Sequence, residues 1–86
     1  MPELSRFFGI VIAIYYRDHA PPHFHAKYAD QRAAFSIPDF RLIEGELSRR
    51  ALSLVLEWAF EHRDELTQNW ELAVAGKPLQ KIAPLV

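Results

Sequence analysis

Apolar residues follow two different spacings along this chain, and the change falls near residue 48. Before it they run together or alternate; after it they return every three or four positions. The run Phe7-Phe8-Gly9-Ile10-Val11-Ile12-Ala13-Ile14-Tyr15-Tyr16 is rich in β-branched and aromatic residues. It predicts a strand over about 7–16, buried on both faces at the centre of a sheet. Gly9 marks a bulge or a close backbone approach within it. Arg17 to Pro22 reads as a loop, because Pro21 and Pro22 have no amide to give to a ladder. Alternation then sets in over 23–28, with Phe24, Ala26 and Tyr28 on one face and His23, His25 and Lys27 on the other. A hairpin turn at Ala29-Asp30-Gln31 leads into 32–37, where Ala33, Phe35 and Ile37 point inward and Arg32, Ala34 and Ser36 outward. Pro38-Asp39 is a second turn signal, and 41–43 is a short fourth strand ended by Glu44-Gly45.

From Ser48 the period is helical. The Ser48 hydroxyl can accept a first-turn amide, although Ala51 stands where a capping box would need Glu or Gln. Leu52, Leu56, Ala59, Leu66, Trp70 and Ala73 form the apolar stripe, interrupted by Arg63. This fits one long helix over about 49–75, or two with a break near His62-Arg63-Asp64. Gly76 and Pro78 stop it. The stripe is expected to pack on the sheet face that carries Phe24, Ala26, Phe35 and Ile37, with Trp58 well round the helix from it. The stretch Leu79 to Val86 adds an edge strand or crosses the helix. The fold class is therefore α+β: a three- to four-stranded antiparallel meander packed against one long or kinked C-terminal helix.

An 86-residue chain of which half is hydrophobic has material for one core, so a single domain over 1–86 is expected. A core this small is only marginally stabilising, which makes a partner protein or self-association a natural expectation. With no cysteine, disulfide scaffolds, Cys-based zinc sites and thiol chemistry are excluded. The start Met1-Pro2-Glu3 does not read as a signal peptide. The longest apolar run has ten residues, from Phe7 to Tyr16, against the ~20 that a membrane span needs. The expected location is the cytoplasm. A net charge of −1 exerts no general pull on nucleic acid. Residues 1–50 nevertheless hold seven Arg or Lys against six Asp or Glu, and three of the four histidines.

Those three histidines lie in one segment, Asp18-His19-Ala20-Pro21-Pro22-His23-Phe24-His25. Imidazole ligates zinc, copper or nickel, and His23 and His25, two apart on a strand, point the same way. His19, His23 and His25 are thus candidate metal ligands, with Asp18 an alternative third. The same groups suit metal-independent RNA cleavage, with His23 and His25 as acid and base and Lys27 as the cation that stabilises the phosphate. Arg17, Asp18, His19, Arg49 and Arg50 are candidate binding residues. In the plain alternative, the histidines bond backbone carbonyls beside the strand. His23 and His25 are expected on an uncovered face, where alanine would leave stability nearly unchanged. The four serines lack a nucleophile-elbow context, and three glycines make no phosphate loop.

Met1-Pro2-Glu3-Leu4-Ser5-Arg6-Phe7-Phe8-Gly9-Ile10, Asp18-His19, Pro21-Pro22-His23-Phe24-His25, Glu57-Trp58, Asn69-Trp70 and Gly76-Lys77-Pro78-Leu79 together resemble the domain-of-unknown-function family 4160. The resemblance covers nearly the whole chain, and Pro-Pro-His-Phe-His is its most distinctive element. It implies a small bacterial protein from a two-gene, toxin–antitoxin-like module. With the small core and the histidine–basic face, the expectation is action through a partner protein, with RNA a candidate further partner.

Overall fold

The computed structural model describes residues 2–86. Five strands, β1 (Glu3–Phe7), β2 (Ile10–Ala13), β3 (His23–Tyr28), β4 (Gln31–Ser36) and β5 (Leu42–Gly45), pair antiparallel in the order β1-β2-β3-β4-β5. Two helices follow, α1 (Arg49–Glu61) and α2 (Arg63–Val74). The α+β meander is as expected, with one strand more.

The extra strand comes from the segment 7–16. It is not one central strand. Phe8 and Gly9 both have positive φ, 48° and 81°, and form a two-residue hairpin turn between β1 and β2. Turns of that hand match the twist of the flanking strands. Gly9 adopts the conformation without steric cost, while Phe8 is left exposed. The sheet centre is β3, between β2 and β4.

The helical segment breaks at His62, whose φ of −126° and ψ of 30° lie outside the helix. Ser48 accepts from the Ala51 amide at 3.2 Å, as its position implies. The amides of Gly76 and Lys77 bond the carbonyls of Ala73 and Leu72, which closes α2 with a Schellman motif.

The packing face of α1 differs from expectation. Ala51, Val55, Trp58 and Ala59 are its buried residues, while Leu52 and Leu56 are only half-buried. Leu66 and Ala73 of α2 are buried as expected, and Trp70 is half-buried. Trp58 is fully enclosed. Its ring lies 5.5 Å from that of Phe7 and 6.2 Å from that of Phe24, and its indole N–H donates to the Ala83 carbonyl at 2.8 Å. The segment 79–86 forms no strand. It crosses the free edge of β1, where the Ile82 amide bonds the Leu4 carbonyl at 2.9 Å, and it buries Ile82 and Leu85.

Candidate functional site

The loop 14–22 connects β2 to β3 and brings Asp18 back over the start of β3. Two proline carbonyls anchor its end. Pro22 accepts from the Ile37 amide at 2.9 Å, which docks the loop beside β4, and Pro21 accepts from Nδ1 of His23 at 2.6 Å. Both prolines thus face the sheet through acceptors alone, as residues without an amide must.

Asp18 is the hub. Its Oδ2 lies 2.9 Å from Nε2 of His23 and 3.0 Å from Nε2 of His25. Its Oδ1 accepts from the His19 amide at 2.9 Å. Burial alone would raise the Asp18 carboxyl, but the hydrogen bonds from His25, the His19 amide and His23, with the His23 charge, hold it below the usual carboxylate range. One ligand atom each of Asp18, His23 and His25 lies within 4.8 Å of the other two.

The bond to Pro21 decides the chemistry of His23. A carbonyl only accepts, so Nδ1 carries hydrogen, and Nε2 is left facing a carboxylate. A lone pair there would meet the lone pairs of Asp18. A cation belongs between them, either a proton on Nε2 or a metal ion. Ligating histidines ordinarily fix their second nitrogen on a carbonyl in this way. The distances of 2.9 and 3.0 Å to Asp18 are those of hydrogen bonds. An ion ~2.0–2.2 Å from each donor spaces them ~2.8–3.1 Å apart at a right angle and ~3.3–3.6 Å apart in a tetrahedron, so a tetrahedral ion needs the imidazoles to move outward by a few tenths of an ångström.

The remaining expected site residues are placed as follows. The His19 ring is 91% exposed; its Nδ1 lies 3.2 Å from the far oxygen of Asp18 and its ring centroid 6.0 Å from that of His23, but it is not one of the three residues whose ligand atoms converge. Asp18, treated in the sequence as an alternative ligand, takes that place. His23 is 5% exposed, not on an uncovered face, and Trp70 of α2 covers it. His25 is half-buried against Tyr15, with ring centroids 4.5 Å apart. Lys27 lies two residues further along the same strand face and is exposed. Both ring nitrogens of His23 are engaged, whereas a base acting on a 2′-hydroxyl needs a free one. Arg17, with φ of 60°, shares a shallow hollow with Ala73 to Gly76, where a cation suits the C-terminal end of α2. Arg49 and Arg50 begin α1. The preceding Ser48 bonds Gln31 at the β3–β4 turn, so these arginines sit at the other end of β3 from His23, ~17 Å along the strand. The groove beside His25, and Arg32 within it, were not singled out in the sequence. Only the pairing of Lys27 with Arg32 across the hairpin would have indicated it.

A family model described as Domain of unknown function (DUF4160) matches residues 9–71. No curated protein and no solved structure matches the chain. Among the described residues, no helix is long and apolar enough to cross a membrane.

Proposed function

Since the chain belongs to the DUF4160 family, whose description names no activity, we propose from the site itself that it is a metal-binding module. It holds one divalent transition ion through Asp18 Oδ2, His23 Nε2 and His25 Nε2. The observation that carries this reading is that Pro21 fixes the His23 proton on Nδ1, which turns Nε2 toward the carboxylate. Two imidazoles and one carboxylate suit zinc, copper or nickel and leave coordination positions open for water or a ligand. Such an ion polarises a bound oxygen or lowers the pKa of a bound water. A cysteine-free chain suits a reducing cytoplasm, where imidazole and carboxylate sites stay functional.

Metal content of the purified, tag-free protein tests this reading. We expect close to one ion per chain after exposure to zinc, copper or nickel, lost in Asp18→Asn and His25→Gln and kept in His19→Ala. A stoichiometry well below one, unmoved by added metal, would remove it.

A second reading concerns a partner. The free edge of β1 is covered by the C-terminal segment, but all four residues of β5 are exposed, including Leu42 and Ile43. An open edge strand with apolar side chains invites strand addition. This supports a partner protein docked along β5, in keeping with a two-gene, toxin–antitoxin-like module that also engages RNA. Co-expression with the neighbouring gene product, followed by pull-down and sizing, decides it. If no stable complex forms and neither protein alone affects growth, the module reading falls.

A further inference from the structure

The sheet face turned away from the helices carries a groove that opens beside the His25 end of the cluster. Its volume is about 450 Å³, within the range of small-molecule sites, ~300–1,000 Å³. The strand register sets out its contents in two rows. One runs across the sheet through Val11, Lys27 and Arg32. The next runs through Ala13, His25 and Glu44, with Ala34, which does not line the groove, between the last two. Val11, Ala13 and Tyr15 give the groove an apolar wall, and Lys27, Arg32 and Glu44 give it charge.

The first row breaks a rule of sheet design. Lys27 and Arg32 are direct cross-strand partners, and like charges placed opposite one another destabilise the pair. Among the described residues neither has an ion-pair partner, and Glu44, which lines the same groove, stands in the other row. Two adjacent cations without an ion pair, at the rim of a groove with an apolar wall, mark an anion site, although Glu46, whose amide bonds the Arg32 carbonyl, follows Arg32 on the β5 side. One is a flexible point charge and the other a planar fork, a pair that together satisfies the three terminal oxygens of a phosphate.

We propose that this groove binds a small phosphate ester of nucleotide size, its phosphate held by Lys27 and Arg32. The apolar wall then contacts the organic part, and Glu44 accepts from its hydroxyl or amine groups. Lys27 lies two residues from His25, ~7 Å along the strand, so the bound molecule extends toward the Asp18–His23–His25 cluster. Neither cation belongs to that cluster, and the inference stands apart from the metal reading.

Calorimetric titration of the full chain with adenosine 5′-monophosphate, inorganic phosphate and adenosine tests it, with and without prior treatment with a chelator. Saturable binding of the monophosphate is expected, tighter than that of inorganic phosphate, with none for adenosine. Lys27→Gln and Arg32→Gln should each weaken it at least tenfold, and Lys81→Gln, on the exposed C-terminal segment beside β1, should leave it unchanged. Melting curves check the fold of the variants. Removal of one like charge should keep or raise the midpoint. Binding that survives chelation upholds the groove even where no ion is found in the cluster. The inference is overturned if neither phosphate compound binds, if adenosine binds as well as its monophosphate, or if Lys81→Gln weakens binding as much as the groove variants.

Discussion

The indole of Trp70 lies against the imidazole of His23, with ring centroids 5.2 Å apart. This contact joins α2 to the first residue of β3. With Pro21 and Asp18 on its two nitrogens and Trp70 on its ring, His23 is 95% removed from solvent. Strand alternation alone would leave it outside. The helices reach this end of the sheet because the break at His62 lets α2 run against β3.

His23 is therefore part of the framework as well as the site. His23→Ala removes the donors to Pro21 and Asp18 and leaves a gap under Trp70. Unpaired buried groups cost ~1–3 kcal/mol, so a loss of that size is expected in urea unfolding. His19→Ala, at an exposed ring, should fall within ~0.5 kcal/mol of the parent. Equal midpoints for the two variants would show that His23 is not held as described.

The two faces of α1 should differ sharply. Trp58→Ala empties the space between Phe7 and Phe24 and should cost ~3–5 kcal/mol, a large share of the ~5–15 kcal/mol that stabilises a domain. Leu56→Ala, at a half-buried position, should cost clearly less. The ordering of the two denaturation midpoints is the measurement, and a reversed order would restore the Leu52–Leu56 face.

The alternating segments were legible because each has one apolar face: Phe24 and Ala26 face Phe35 and Ala33 in the observed register. The hairpin at Phe8-Gly9 was not, since its first turn residue is itself apolar and hides inside an apolar run. In α1, leucines at 52, 54 and 56 spread apolar character round the helix. The burying face was then set by Trp58, which needs both the Phe7–Phe24 contact and a carbonyl from the distant Ala83. The histidine cluster was visible as a motif. Its hub was not, because the loop path that aims Asp18 at two imidazoles depends on how Pro21 and Pro22 dock, which spacing does not encode.

Acid should act partly through Asp39. The Ser36 hydroxyl donates to it, and this bond, with the Arg41 amide and the Arg41 charge, outweighs the opposing effect of burial and holds its carboxyl below the usual value. A carboxyl depressed on folding contributes stability that is complete above its unfolded pKa, ~3.9, and is lost as pH falls through the folded value. The gap in urea midpoint between the parent and Asp39→Asn should therefore be open at pH 6 and close progressively below pH ~4. A gap that is constant from pH 6 to pH 2.5 contradicts the assignment.

The tautomer of His23 is the most direct check on the site. The Pro21 carbonyl requires hydrogen on Nδ1, whatever occupies the space beside Asp18. Long-range proton–nitrogen correlation spectra of the metal-free protein should accordingly give a protonated Nδ1 resonance for His23. When zinc is added, the Nε2 resonance should move while Nδ1 keeps its proton, because the ion takes the position facing Asp18 Oδ2. His25 approaches the same oxygen through Nε2 and should respond at that nitrogen too. His19 should respond least, since its ring is 91% exposed and meets Asp18 only at the other oxygen. If zinc instead shifts Nδ1 of His23, the bond to Pro21 has been exchanged for the metal, and the ion is held by a different set of atoms from the one described.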